Sequence, residues 1–368
     1  MSNSILFETN QLGGLTLKNK AVMAPMTRSR ADKNHVPTAI MATYYGQRAG
    51  AGLIITEGTA PSPNGAGYPR IPGIYNQEQI EAWKPITKAV HDKGGKIFMQ
   101  LMHTGRISHP LNLPEGAEVI APSPIAPANT EMYTDQEGIQ KIPVAKEMTK
   151  EDIEEVIEEH VQAAKNAISA GFDGVELHGA NGYLIEQFIN PGSNRRTDEY
   201  GGAVEGRSKF VLEVASKTVD AIGADKVGIR LSPGGAFNDL NPFDGQEETY
   251  FYLAEKLKKL GLVYIHLVDH SSMGTPEVPK SLKEGIRNRF GGTIIISGGY
   301  DRSAAEKDLE DGLGHLVAFG RPFLANPDLI ERMKQHADLN EPDFDTFYTP
   351  GEKGYTDYPE LEMSSSVG

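Results

Sequence analysis

The sequence predicts an α/β fold, a (β/α)8 TIM barrel in which eight parallel strands close on themselves inside a ring of helices. Three observations predict it. Eight short apolar runs alternate with eight longer amphipathic stretches along 368 residues. Several of the runs end in polar, hydrogen-bonding side chains, which is where barrel enzymes carry their chemistry. An open doubly wound sheet is the alternative for such alternation, but no early GxGxxG follows a strand.

The elements follow in order. Residues 5–19, ILFETNQLGGLTLKN, read as a hairpin turning at Gly13–Gly14 and capping the barrel floor. The strand runs are AVMAPM (21–26), LIITEG (53–58), KIFMQLMH (96–103), GVELHG (174–179), VGIRLS (227–232), YIHLVD (264–269), TIIISGG (293–299) and HLVAFG (315–320). Helical patterns lie around 40–49, 77–93, 150–171, 206–222, 247–260, 277–290, 302–312 and 326–336. The clearest is 150–171. Thr149 can cap it with Asp152 three residues on, Ile153, Val156, Ile157, His160, Val161 and Ala164 share one face, and Gly171 ends it. Residues 104–148 form a Pro- and Gly-rich insertion after the third strand, long enough to suggest a lid over a site. The aromatic-rich tail, 343–368, is expected to pack back near the active-site face. No linker divides the chain, so 1–368 reads as a single domain.

Composition narrows the function classes. Hydrophobic residues make up 39% and charged residues 23%, as in a soluble globular protein. The net charge of -14, from 36 basic and 50 acidic side chains, argues against nucleic acid or an anionic membrane as the main partner. There is no cysteine, which excludes disulfides, thiolate metal sites and iron–sulfur clusters. No apolar run is long enough to span a bilayer, and MSNSILFETN lacks the build of a secretory signal, so a cytoplasmic enzyme is expected.

The chemistry concentrates in 173–202, DGVELHGANGYLIEQFINPGSNRRTDEYGG. A short apolar run ends in His178, Asn181 and Tyr183, broken by Gly179 and Gly182. Glycines there permit a sharp turn and the close approach of a flat ligand. Arg230 ends another apolar strand, where an unpaired charge is costly, so an anionic partner is expected; an internal ion pair with Asp269 is the weaker alternative. Gln100 carries both donor and acceptor atoms at a strand end. The glycine pair Gly298–Gly299 ends the seventh run, and Gly320 with Arg321 ends the eighth. Loops after strands seven and eight commonly hold phosphate in such barrels. His103, His109, His266 and His270 lack a tight ligand spacing and read as structural or surface residues, so no metal is expected. The charges of RRTDEYGG (195–202) read as ion pairs tethering a loop.

The motifs HGANGYLIEQF and SNRRTDEYGG, with APMTR (24–28), QLMHTGR (100–106), IRLSP (229–233) and AFGRPFLANPDL (318–329), resemble those of the Old Yellow Enzyme family of flavin-dependent ene-reductases. The resemblance runs from Leu6 to about Pro359. It implies non-covalent FMN, NADPH or NADH as hydride donor, and small electron-poor alkenes as acceptors in ping-pong turnover. It implies that Pro25, Met26, Thr27, Gly58, Gln100, Arg230, Gly298, Gly299, Gly320 and Arg321 contact the flavin. His178 and Asn181 would bind the activating oxygen beside it, and Tyr183 would supply the proton; a wall residue packing on the ring is the alternative for Tyr183. Tyr68, Met102 and Tyr348 would rim the acceptor pocket. Met102 stands where related sequences often carry tryptophan, which implies a wider pocket. A monomer or homodimer is expected.

Overall fold

The computed structural model describes residues 4–361; positions 1–3 and the last part of the expected tail, 362–368, lie outside the described residues. Eight parallel strands close into a barrel. They are β1 (Ala21–Met23), β2 (Leu53–Ile55), β3 (Ile97–Leu101), β4 (Gly174–Gly179), β5 (Val227–Leu231), β6 (Tyr264–Val268), β7 (Thr293–Ser297) and β8 (Leu316–Phe319). Each falls within an expected run. All are buried on both faces apart from a half-exposed start to β7, which is why they read as continuous apolar segments rather than alternating ones.

Inside the barrel the strands alternate inward and outward with period two. Register sets Gln100 beside Glu176, His178 beside Arg230, and Arg230 beside His266. Toward the strands' N-terminal ends the interior is apolar. Phe98 and Tyr264 lie there with ring centroids 5.9 Å apart. Two glycines make room for these rings. A β-carbon at Gly174 would come within 2.5 Å of Phe98, and one at Gly228 within 2.3 Å of Tyr264. The N-terminal hairpin, Asn10–Leu12 with Leu15–Leu17, sends Leu12 and Leu17 into this same apolar cluster and closes the floor.

The helices form the outer ring: α1 (Ala39–Gln47), α2 (Gln77–His91), α3 (Lys150–Ser169), α4 (Leu184–Ile189), α5 (Val204–Ile222), α6 (Gln246–Leu260), α7 (Lys280–Phe290), α8 (Arg302–Glu310), α9 (Arg321–Ala325) and α10 (Leu329–Gln335). The capping box of α3 forms in both directions between Thr149 and Asp152. The helix expected at 326–336 is α10, and a short helix that was not expected, α9, precedes it. Asn326 is extended and Pro327 follows it, so the chain breaks between α9 and α10. No helix among the described residues is long and apolar enough to cross a membrane.

The 104–148 insertion builds its own structure: an antiparallel hairpin (Glu131–Thr134 with Gly138–Lys141) and a short parallel pair (Ile120–Ala121 with Lys146–Glu147). Its Ile107, Met132 and Ile142 pack behind Met102 and Tyr183. The tail does return to the C-terminal face of the barrel. Buried arginines following β1 hold it by its backbone carbonyls. Arg28 reaches Phe347 O at 3.1 Å and Gly354 O at 2.7 Å, and Arg30 reaches Phe347 O at 2.7 Å and Thr346 O at 2.8 Å. Arg196 pairs with Asp198 at 2.6 Å, and Lys150 with Glu199 at 2.8 Å, so the 195–202 charges do tether that loop.

A candidate active site at the mouth of the barrel

The C-terminal ends of the strands surround a cavity of about 560 Å³. Every site residue expected from the sequence lines it except Tyr68, which stands one hydrogen bond behind Tyr183. Pro25, Met26 and Thr27 come from the segment after β1, Gly58 from the segment after β2, Gln100 from β3 and Met102 from just beyond it. The β4 end gives His178, Asn181 and Tyr183, and Arg230 comes from β5. Gly298, Gly299, Gly320 and Arg321 follow β7 and β8, and Tyr348 comes from the tail. A second depression of about 480 Å³ lies between α5 and α6, but it is a shallow surface groove lined by Lys and Glu with no convergent catalytic groups.

The β4 end is held from below. The Ala180 N–H donates to His178 Nδ1 at 3.3 Å, which places the ring proton on Nε2. Burial, and Arg230 next, pull the His178 pKa well below its ordinary 6.5, so the ring is a neutral N–H donor. Asn181 sits in the left-handed region, φ 59°, which asparagine tolerates better than most residues. Its N–H donates to Ser232 Oγ at 3.0 Å, and Asn238 Nδ2 donates to its carbonyl at 2.8 Å. Its Oδ1 is buried with no partner among the described residues.

Glu186 on α4 ties this turn together. Its carboxylate accepts from Gly182 N at 2.6 Å, Ser232 Oγ at 2.7 Å and Tyr250 OH at 3.2 Å. Burial pushes its pKa up to about 7 despite those donors. Tyr183 caps the same helix and stands edge-on to His178, centroids 4.9 Å apart. Its hydroxyl meets that of Tyr68 at 3.0 Å, and burial raises its pKa, so it holds its proton at neutral pH.

The opposite wall is cationic. Arg230 is buried, its Nε has no hydrogen-bond partner, and no carboxylate lies within 4 Å of it among the described residues. The alternative pairing with Asp269 is not formed: Asp269 binds Lys283 at 2.7 Å and accepts from Val278 N at 3.0 Å. Gln100 and Arg230 are on β3 and β5, separated by β4. Gly298 (φ 149°) and Gly299 (φ 71°) have backbone angles that favour glycine. Their β-carbons would strike Asp269 at 2.7 Å and Ser272 at 2.5 Å. Arg321 opens α9, with its guanidinium over the Phe344 ring at 5.2 Å.

At the acceptor side, Met102 lies against Gly58. A β-carbon at position 58 would sit 2.4 Å from the Met102 sulfur. The absence of a side chain at 58 is what lets the thioether fold down there.

Sequence reasoning missed several lining residues. His270, grouped with the structural histidines, lines the cavity and stacks on Phe237 at 5.2 Å and 16°. Ser297 lines the cavity as well, hydrogen-bonded at 3.1 Å to His266 beneath. Phe347 enters from the tail. The length of the loop after β5 is the signal that points to Phe237; nothing local marks the others. Among the described residues no group of three or more His, Asp or Glu is placed to hold a metal ion.

The donor set suits a planar, anionic group with a phosphate: an unpaired buried guanidinium, a side-chain amide, and a backbone cradle that only glycine fits. Residues 5–340 match the family described as NADH:flavin oxidoreductase / NADH oxidase. A probable flavin mononucleotide-dependent alkene reductase of Leishmania infantum is 41% identical over 361 residues, covering 97% of this chain and 98% of the relative. 12-Oxophytodienoate reductase 1 of Oryza sativa subsp. japonica is 44% identical over 357 residues, 96% of this chain and 92% of the relative. Among solved structures, morphinone reductase superposes with a TM-score of 0.94 at 44% identity, covering 98% of this chain and 97% of that one. It is also solved in complex with tetrahydroNAD, at TM-score 0.93 and 44% identity, covering 98% of both chains. The old yellow enzyme homologue from Zymomonas mobilis gives 0.92 at 40% identity, covering 97% of this chain and 99% of that one.

Proposed function

The chain belongs to the NADH:flavin oxidoreductase / NADH oxidase family, and from that premise we propose that it is an FMN-dependent reductase of electron-poor alkenes driven by NADPH or NADH. One observation carries the reading. Neutral donors, His178 and Asn181, and a phenol, Tyr183, face the same cavity as the unpaired Arg230 and the Gly298–Gly299 cradle.

FMN bound across the mouth would accept hydride from the nicotinamide and deliver it to the β-carbon of the alkene. Gln100 and Arg230 would hold its polar ring edge, and Gly298, Gly299, Gly320 and Arg321 its phosphate. Thr27 would hydrogen-bond the ring, with Pro25, Met26 and Gly58 against its surface. His178 Nε2–H and the Asn181 amide would hold the carbonyl, imide or nitro oxygen of the acceptor as negative charge develops there. Because both are neutral, neither needs a proton from solvent to act. Tyr183 would give its phenol proton to the α-carbon, and the hydroxyl contact with Tyr68 fixes its direction. Tyr68, Met102 and Tyr348 would bound the acceptor. One cavity serving both substrates gives ping-pong kinetics, in which each competes for the other's place.

The test is spectroscopic. The purified protein is expected to be yellow, to bleach with NADPH or NADH without air, and to recover its colour when cyclohexenone or a maleimide is added. A colourless protein that ignores added FMN ends the proposal. Bleaching without recovery leaves a flavin-binding protein rather than an alkene reductase. Running both nicotinamides side by side decides the donor.

A further inference from the structure

Beneath the cavity floor lies a second polar tier that no proposed contact uses. Glu176 on β4 and His266 on β6 are fully buried in the barrel interior and do not line the cavity. Gln100 Nε2 donates to Glu176 Oε1 at 2.8 Å, and His266 Nδ1 meets Glu176 Oε2 at 2.9 Å. On its far side His266 Nε2 meets Ser297 Oγ at 3.1 Å. A buried chain therefore runs from Ser297 through His266 and Glu176 to Gln100, and both of its ends line the cavity.

The chain is directional. Glu176 faces a donor on each oxygen, so Gln100 must present its NH2 downward, and its Oε1 is left free for the cavity. Nothing among the described residues donates to that oxygen. Burial holds His266 below its ordinary pKa, so the neutral ring gives Nδ1–H to Glu176, while its Nε2 meets Ser297 Oγ, whose hydroxyl also reaches the Leu267 carbonyl at 3.2 Å. Glu176 also lies in the field of Arg230, which it supports electrostatically without a direct contact. Polar groups buried at this depth persist best when they are satisfied, and the flipped Gln100 amide would set its oxygen against a carboxylate oxygen of Glu176.

We propose that Glu176, backed by His266, is a positioning residue for the cofactor: it locks the Gln100 amide with its carbonyl oxygen toward the cavity and sets a counter-charge beneath Arg230. This rests on the FMN reading. Two consequences separate it from a merely structural role. Losing the lock weakens FMN binding through Gln100. Losing the negative charge leaves Arg230 less compensated, which favours the more negative reduced form of the cofactor and raises its two-electron midpoint potential.

The experiment uses holoenzyme: wild type, Glu176→Gln, Gln100→Leu and the double variant, each measured for FMN dissociation constant and midpoint potential. Glu176→Gln is expected to weaken FMN roughly ten-fold, the scale of one charge-assisted hydrogen bond. It should weaken FMN much less when Gln100 is already leucine. Its potential should rise by about 30 mV, a ten-fold change in a two-electron equilibrium. Wild type that binds FMN, with Glu176→Gln unchanged in both quantities or additive with Gln100→Leu, overturns this inference alone. Wild type that takes up no FMN overturns it together with the cofactor reading. If Glu176→Gln does not fold, His266→Leu and His266→Gln decide the matter. Leucine should weaken FMN roughly ten-fold, and glutamine, which keeps an N–H for the carboxylate, should restore most of that; equal affinities for the two overturn the proposal.

Discussion

The two ends of the barrel interior are made by the same eight strands and solve opposite problems. At the floor, Phe98, Tyr264, Leu53, Leu316 and the hairpin leucines Leu12 and Leu17 pack against one another in one apolar cluster. At the mouth, Gln100, His178 and Arg230 are also buried, yet atoms such as Arg230 Nε and, at the nearby turn, Asn181 Oδ1 have no partner among the described residues. Burial contributes stability below and costs stability above. The contrast teaches that the apolar floor serves the fold, while the mouth, where three residues lining one cavity, Asn181, Arg230 and His270, keep atoms without a partner among the described residues, suits a ligand.

Substitutions at the two ends should therefore move different observables. The largest effect is expected for Phe98→Ala, which opens a cavity beside Tyr264 and should cost about 3–5 kcal/mol of stability. Urea unfolding reads it, and FMN affinity at low temperature should stay near wild type. An equal loss of FMN affinity would break the division between the ends. At the mouth, His178→Ala should lower alkene turnover roughly 10²–10³-fold, as when an oxyanion donor is removed, with the urea midpoint little changed. Stopped-flow measurement of the alkene half-reaction checks it.

Glu186 sharpens the comparison, because it belongs to the fold but carries the turn of the mouth. Its folded pKa, about 7, stands above its ordinary 4.5. The folded state therefore binds the proton more tightly, and stability from this group is fully present below pH 4.5 and is lost as pH rises through 7. The span is about 3 kcal/mol as an upper figure. Glu186→Gln should flatten that decline in unfolding measurements between pH 4.5 and 7; an unchanged slope would remove Glu186 as its source. The smallest effect is expected for Gly58→Ala. Its β-carbon must displace the Met102 thioether, a flexible group, so stability should fall by only about 1–2 kcal/mol. KM should rise a few-fold for bulky acceptors and little for small ones. No size dependence would show that Met102 moves away from the cavity rather than into it.

Much of this was legible in the residue order. The eight strands announced themselves as apolar runs because parallel strands are covered on both sides, and α3 because Thr149 and Asp152 cap it locally. His178, Asn181 and Tyr183 were readable because they are neighbours in sequence at one strand end. The short α9 was not legible, because five residues, Arg321–Ala325, are too few to show a helical period before Asn326–Pro327 interrupts the chain. His270 was not legible as a lining residue. Its stacking partner, Phe237, is brought to it by the closure of β5 beside β6, not by nearness in sequence.

The sequence by itself determined the strand and helix pattern, the absence of thiol chemistry and the polar strand ends, since these depend on composition and on spacings of a few residues. Only the tertiary structure decided that Asp269 goes to Lys283 and leaves Arg230 free, that Met102 occupies the space above Gly58, and that Glu176 links Gln100 to His266. Each of those joins residues more than ten positions apart. Which buried polar group meets which is set by the stagger of strands around a closed barrel, and that stagger exists only once the last strand has met the first.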